Sequence, residues 1–406
     1  MSLFSRLAAR LGYVRQGWAE HLAWMLAGGM ATRSGVALSN EKALQVAAVL
    51  ACVRVIAEGI GALPVALRQR TAEGAEDNTS ADAAWLLQEP NAWMTWQEVA
   101  ETLTMHAALT GNGFALIQRG VRGQPIGVLP LLPSWVQWKQ TADWSIEYRV
   151  TWPGGRQQLV GLIDMFHLRG PSWDSVAGLE VVRLARESIG LAAAIEWTQA
   201  GHFGKGGTPS GVLTLEGRVS QEQAEDLQTR WQRAYTGEGA GKIAVLGNGA
   251  KFQPYELNFA SQQTLETRRQ QVEEICRAFR VFPQMVGFGD KATTYASAEA
   301  FFVAHAVHTL GPWARRWELT LGRDLLAPRQ RATGLFFHVN TEAILRADTK
   351  ATGEFLRQMV DGGIMSRNEA RRRLGLNAVP GGDTPTPAAN IGGSATRPAE
   401  PAPAAP

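Results

Sequence analysis

The spacing of apolar positions changes several times along this chain, and each change marks an element. From Ala43 to Leu67 runs the greasiest stretch, ALQVAAVLACVRVIAEGIGALPVAL, interrupted by Gln45, Arg54 and Glu58 and ended by Pro64. A membrane span needs about 20 mostly apolar residues. Here Arg54 and Glu58 stand four apart, the spacing at which opposite charges pair on one helical turn. The pattern predicts a buried helix with Asn40 as its N-cap, then a strand in LPVALRQR. TAEGAEDNTSAD reads as a polar loop. A second helix is predicted from Trp96 to Leu109, closed by TGNG. Short strands follow in FALIQR, GVLPLL, WVQW, IEYRVTW, RQQLVG and MFHLRG, with Gly, Pro and Asp in their turns. The first half is therefore a helix-plus-sheet domain.

The second half changes character. Leu179 to Phe203 is one long helical pattern. FGKGGTPSG ends it and SGVLTLEG returns as a strand. SQEQAEDLQTRWQRAY is a helix with Ser220 as N-cap and Gln223 at the capping-box distance. GKIAVLGNG is another strand, and SQQTLETRRQQVEEICRAFRVF is helical up to Pro283. A compact unit from Gly206 to Leu257 thus lies between two long helices. The glycine-rich loop VGFGDKATTYAS follows, then a helix from Ala298 to Leu326, a strand in GLFFHVN and two helices between Thr341 and Leu374. The tail of Pro, Ala and Gly has too little apolar surface to fold. The first thirty residues carry several arginines and no acid before Glu20, and read as a mobile arm.

The helix before Pro283 is unusual. Leu265, Val272, Cys276 and Phe279 form a narrow stripe, with Ile275 beside it, and the remainder is polar with both signs of charge. A core helix shows a wider apolar face. A narrow stripe on a long charged helix suits few partners, neighbouring subunits among them. Head-to-tail repetition of such contacts about an axis closes a ring.

Composition narrows the function classes. The 406 residues are 45% apolar, enough for a sizeable core in two or three domains. The formal net charge of +3 falls far short of a protein that grips many phosphates at once. Cys52 and Cys276 are too few and too far apart for a disulfide framework, and no CxxC is present for zinc. A reducing cytoplasm is the default compartment, and no signal peptide is evident.

Motifs for catalysis fail one by one. A phosphate-binding loop needs G-x-x-x-x-G-K-[ST] leaving a strand and entering a helix. In GHFGKGGT, Gly207 stands where lysine is required, and the loop leaves a helix for a strand. In TGEGAGKI, Thr236 replaces the leading glycine and Ile243 the hydroxyl. Pro209 instead pushes Thr208 towards extended geometry, a helix-to-strand joint. His305 and His308 lie three apart without a glutamate between them or a third ligand, so packing is their simpler role. The same holds for His167. No GxSxG elbow occurs. Glu273 and Glu274 are adjacent and make a poor acid–base pair. Arg371, Arg372 and Arg373 fan out around a helix as a solvated face. Fourteen tryptophans lack the basic interleaving of a base-stacking surface. No catalytic, cofactor-binding or metal-binding residue is assigned.

The order of motifs resembles phage portal proteins of the HK97 type, including those of gene transfer agents. The matching pieces are ALQVAAVLACVRVIAEGIGALPVAL, LLQEPNAWMTWQEVAETL, LTGNGFALIQR, DMFHLRG, FGKGGTPSGVLTLEGRVSQEQAEDLQTRWQRAYTG, AGKIAVLGNGAKFQPYEL, LETRRQQVEEICRAFRVFP, TTYASAEA and GIMSRNEARRRLGLNAVPGGD, together spanning Leu38 to Asp383. No single piece is decisive; their shared order is specific. The chain departs from the family pattern at Val281, Phe282 and Pro283, where VPP is usual, and at Ser297, where an Asn is usual and Ser can still cap the helix.

The resemblance implies an α+β portal fold, built into a ring, usually of twelve copies, at one capsid vertex. It implies a flexible arm at 1–37, a wing at 38–178 and 298–340, stem helices at 179–205 and 258–283, a clip at 206–257, a tunnel loop at 284–297, a helical crown at 341–376 and a disordered tail at 377–406. Its implied partners are double-stranded DNA without sequence preference, the terminase large subunit, a head–tail adaptor and the major capsid protein, with no membrane. Its place is the virion, after assembly in the host cytoplasm. Asp290, Lys291, Thr293, Thr294 and Tyr295 of the tunnel loop, with Arg268, Arg269 and Arg277 of the stem, are then the candidate DNA contacts. A salt bridge to a neighbour is the competing role for each arginine. Glu222, Glu225, Asp226, Arg230 and Arg233 are the candidate docking residues of the clip. Two other readings stand beside this one: a nucleotide-hydrolysing enzyme built on the glycine loops, and a monomeric nucleic-acid-binding module.

Overall fold

The computed structural model describes residues 30–204, 210–214, 220–235, 251–255, 262–288, 295–341, 343, 349–374 and 376–385. The chain divides into two compact units, residues 1–340 and 341–406. Helices and antiparallel sheets are segregated rather than alternating, which makes the fold α+β.

The first unit opens with a small hairpin of β1 (Met30–Ala31) and β2 (Ala37–Leu38). The arm expected from the sequence runs to residue 37 and so takes in all of this hairpin but Leu38. Val36 and Leu38 instead join the core. Ser39, not Asn40, caps the first helix: its hydroxyl accepts from the Lys42 backbone, and α1 spans only Asn40–Ala43. A turn intervenes before α2 (Ala47–Gly61). That break lets Ala43, Val46 and Val49 all face the interior. Along α2, Val49, Cys52, Val53, Ile56, Ala57 and Ile60 are buried at helical spacing. Arg54 and Glu58 pair on the opposite face at 2.6 Å.

The strand β3 (Val65–Thr71) pairs with β4 (Gly74–Asp77), inside what the sequence predicts as a loop. β4 is a polar edge strand with no buried residue, so it lacks the alternation that betrays a strand. Short helix α3 (Asp82–Trp85) precedes α4 (Trp96–Thr110), which starts on a Thr95–Glu98 capping box and stops at Gly111, φ 77°. The predicted strands then appear: β5 (Asn112–Arg119), β6 (Pro125–Leu131), β7 (Val136–Gln140), β8 (Ile146–Thr151), β9 (Gln157–Val160) and β10 (Met165–Arg169). They form two antiparallel sheets, ordered β10-β5-β6 and β7-β8-β9. Phe114, Leu131, Tyr148, Val150 and Met165 fill the core between them.

The long helical pattern after Leu179 breaks at Ala185 into α5 (Val181–Leu184) and α6 (Arg186–Gly204). Strand β11 (Ser210–Thr214), helix α7 (Gln221–Tyr235) and strand β12 (Lys251–Tyr255) follow, with β11 and β12 antiparallel. The strand expected in GKIAVLGNG, the joint Lys205–Pro209 and both near-miss lysine positions at 207 and 242 lie outside the described residues. Helix α8 (Gln262–Phe279) packs on α6 and α2.

The predicted helix from Ala298 begins earlier, at Tyr295, so Ser297 lies inside it and does not cap it. It runs as α9 (Tyr295–His305), a π-helical turn at Ala306–Leu310, and α10 (Gly311–Leu325). Pro312 has no N–H to give to the preceding turn, and the widened turn sits directly before it. α10 packs on β10 and on β13 (Leu335–Val339), which completes the β13-β3-β4 sheet after the short helix α11 (Pro328–Ala332). Buried Trp317 anchors this contact: its ring lies 5.5 Å from that of Phe166, and its indole N–H donates to Thr104 Oγ1 at 3.0 Å.

In the second unit, α12 (Thr349–Asp361) and α13 (Arg367–Arg373) match the two helices expected there. Ser366 and Glu369 form the capping box of α13. Buried Asn368 clamps the chain beyond it, exchanging hydrogen bonds with the Val379 backbone at 2.8 and 2.9 Å.

Candidate nucleic-acid interface and docking helix

The narrow stripe on α8 is real but one-sided. Ile275, Cys276 and Phe279 are buried and Val272 half-buried, while the side chain of Leu265 lies outside the described residues. The three arginines of this helix are all exposed. Arg268 reaches Glu196 of α6 at 3.6 Å and Gln199 at 3.4 Å. Arg277 bonds to both Glu273, at 3.4 Å, and Glu274. Adjacent Glu273 and Glu274 therefore converge on one guanidinium. Arg269 stacks over the Phe288 ring at 5.8 Å. The salt-bridge role weighed for these arginines is thus present within one chain for Arg268 and Arg277. Such exposed pairs are weak, about 0–1 kcal/mol each, so they lower local positive charge without fixing it.

Beside this face lies an open groove. Val46, Ala192, Ile195, Val272 and Ile275 give it an apolar lining. Gln271 also lines it; the residue is 9% exposed, and its Oε1 is buried with no hydrogen-bond partner. Asp290, Lys291, Thr293 and Thr294 lie outside the described residues. Tyr295 is the first residue of α9, and its side chain lies outside them too.

The second group sits on α7. Ser220 caps it as the sequence predicts: its Oγ accepts from the Gln223 N–H at 3.3 Å, and Gln223 Oε1 accepts from the Ser220 N–H at 3.1 Å. Glu222, Glu225, Asp226 and Arg230 are exposed together with Leu227. Arg230 pairs with Asp226 at 2.9 Å, and Gln221 donates to Glu225 at 3.2 Å. Arg233 belongs to the same helix, with its side chain outside the described residues.

The sequence missed the main polar cluster of the core. Asn112 Oδ1 accepts the Gly178 backbone N–H at 2.9 Å and lies 3.0 Å from His167 Nε2. Since that oxygen only accepts, His167 carries its proton on Nε2. His167 Nδ1 is then the acceptor for the Tyr148 hydroxyl at 3.0 Å. Burial, with Arg169 and Arg323 nearby, holds the imidazole well below its ordinary range. Burial also pushes the Tyr148 phenol up to about 12. Arg323 and Asp324 of α10 bind the His167 backbone at 3.1 and 3.3 Å. His167 thus packs and positions, as expected. His305 is buried and His308 exposed, so the two share no face. Arg371 donates to the Asn377 carbonyl at 2.7 Å, while Arg372 and Arg373 are exposed.

The sequence model of the family described as phage portal protein matches residues 47–375. The chain belongs to the phage portal protein family. It is 27% identical over 351 residues to the portal protein of Enterobacteria phage HK97, covering 85% of this chain and 82% of the relative. It is 28% identical over 368 residues to the probable portal protein of Streptomyces phage phiC31, covering 87% and 79%. Its fold is similar to a chain in the neck of a native gene transfer agent (GTA) particle computed with C12 symmetry, with a TM-score of 0.56, 20% identity, and 89% and 99% of the two chains covered. The family is a structural one, and membership assigns the chain to the portal at the capsid vertex of a virion. Among the described residues no helix is long and apolar enough to cross a membrane.

Proposed function

We propose that copies of this chain, twelve in number, close into a ring whose central channel passes double-stranded DNA during packaging and ejection. In this reading 179–205 and 258–283, which contain α6 and α8, are the stem, 206–257 the clip, 284–297 the tunnel loop, 38–178 with 298–340 the wing, and 341–376 the crown. The observation that carries it is the family match across 47–375, which takes in the proposed stem, clip and tunnel loop and all but the last residue of the crown. The apolar groove beside α8, with the unpaired Gln271 acceptor, supports an added partner on the stem, and a neighbouring copy is the one proposed.

The electrostatics of α8 support a conduit over a grip. Each phosphate a protein neutralises strengthens binding and steepens its salt dependence, by a slope of about −0.9 per contact. On α8, Arg268 and Arg277 already face carboxylates. A lining of half-neutralised cations attracts a polyanion briefly and releases it. Sequence readout needs contacts to base edges, which a channel serving every sequence does not make. The exposed charges of α7 are proposed as the seat of the terminase large subunit and later of the head–tail adaptor, with the wing meeting the major capsid protein. Nucleotide turnover, in this reading, belongs to the motor and not to the ring.

Electron microscopy of the purified chain, viewed end-on, tests the proposal by counting subunits. A closed ring with a central hole is expected. A chain that stays single at every concentration, and with its capsid partners present, overturns it.

A further inference from the structure

Cys52 and Cys276 are the two cysteines of the chain, 224 positions apart. Both are free thiols, fully buried, and their Sγ atoms lie 3.8 Å apart. One comes from α2 and the other from α8, so the contact bridges two helices that meet only in the folded chain. The neighbours on both sides are apolar: Val49, Val53 and Ile56 on α2, Ile275 and Phe279 on α8. Among the described residues no third His, Cys, Asp or Glu joins them as a metal set.

We propose that Cys52 and Cys276 are a redox modification site, a dithiol that closes into a disulfide clasping α8 to α2. A disulfide needs its sulfurs at about 2.05 Å, so the pair closes by an approach of under about 2 Å shared between two side chains. The oxidant is hydrogen peroxide. The Cys276 sulfur attacks one peroxide oxygen, becomes a sulfenic acid and releases one water. The Cys52 sulfur then attacks the sulfenic sulfur, the S–O bond breaks, and the departing hydroxide takes the Cys52 proton as a second water. Two thiols and one peroxide give one disulfide and two waters. Either sulfur can donate across this contact; with Cys52 as the donor, the thiolate is favoured at Cys276, while that bond and burial push Cys52 up.

Only the timing rests on the portal reading: both thiols stay reduced in the cytoplasm during assembly, and a released particle meets oxidising surroundings. The chemistry is a property of the single chain. Closure restrains the unfolded chain across the whole interval between the two residues, and such restraint grows with loop length.

The test treats the purified full chain with hydrogen peroxide, blocks remaining thiols with iodoacetamide, and maps peptides by mass spectrometry. A linked Cys52–Cys276 peptide is expected, within one chain, together with a melting temperature several degrees higher that dithiothreitol reverses. The variants Cys52→Ser and Cys276→Ser lose both signals. Thiols that stay unmodified, oxidise separately, or link different chains overturn the proposal. The linked peptide is read on the natural chain, so a variant that folds poorly does not blunt the test. It is also read alike on single chains and rings, so its absence leaves the portal reading standing.

Discussion

The Tyr148 hydroxyl lies 3.0 Å from His167 Nδ1, inside a sheet core where both residues are almost wholly buried. The bond exists only while the imidazole is neutral. Burial holds the folded-state value well below the ordinary 6.5. The unfolded chain therefore takes up a proton near pH 6.5 that the folded chain refuses. Stability is full above that point and falls as pH drops, by about 1.4 kcal/mol per pH unit from this residue. Denaturant midpoints measured between about pH 7 and pH 5 are expected to decline, and less steeply in His167→Asn. His106, held by burial at about 4, and His305, lowered by burial, steepen the same limb. At neutral pH, Tyr148→Phe leaves a buried acceptor unpaired and is expected to cost about 1–3 kcal/mol. An unchanged midpoint at both pH values removes the cluster from the stability of the first unit.

Gly178 stands where no side chain fits. An added Cβ would meet the Gly111 carbonyl oxygen at 1.9 Å, a contact with rigid backbone on both sides. The Gly178 N–H also binds Asn112 Oδ1, so displacing this turn disturbs the histidine cluster as well. Gly178→Ala is expected to leave the protein insoluble or to cost about 4 kcal/mol or more, in the exceptional class of single substitutions. Gly161→Ala is the control: an added Cβ has nothing within 4 Å, and φ is −72°. Its melting temperature is expected to match the natural chain.

Local signals were legible in the sequence and distant ones were not. The Arg54–Glu58 pair, the Ser220 capping box and the strands from Phe114 to Arg169 each depend on residues a few positions apart. β4 was missed because an edge strand of Gly, Ala, Glu and Asp buries nothing. Asn40 reads as the cap in the sequence because its side chain suits the role as well as that of Ser39, and only backbone geometry separates them. The Cys52–Cys276 contact and the Asn112–His167–Tyr148 chain join residues that pairing of distant strands and helices brings together. No period in the sequence records them. Of the arginine pairs on α8, Arg277 stands four and three positions from Glu273 and Glu274, a spacing legible in the sequence, whereas Arg268 meets Glu196 across from α6, a contact that no spacing records.

Those partners separate two kinds of arginine and lysine in the proposed channel. Arg277 is exposed and shared between Glu273 and Glu274. Arg277→Ala is expected to change stability by no more than about 1 kcal/mol and to leave packaging near normal. Lys291→Ala, in the proposed tunnel loop, is expected to leave ring assembly intact and to alter the amount of DNA packaged or retained. Packaged DNA is measured by nuclease protection in filled particles. Equal packaging in both variants and the natural chain counts against the tunnel-loop assignment.

Charge reversal on α7 tests the docking surface separately. Glu225 is exposed, accepts one hydrogen bond from Gln221 one turn earlier, and sits beside the Asp226–Arg230 pair. Replacing it removes no buried contact, so Glu225→Lys is expected to shift stability by no more than about 0.5 kcal/mol and to leave rings countable by mass photometry. A partner that meets this face through complementary charge then encounters a positive group where a negative one stood. Like-charge juxtaposition slows association and weakens the complex, most strongly at low salt. Affinity for the terminase large subunit is expected to fall about tenfold or more at low ionic strength, with the loss shrinking as salt is added. Normal affinity at every salt concentration, with intact rings, moves the motor's seat off this helix.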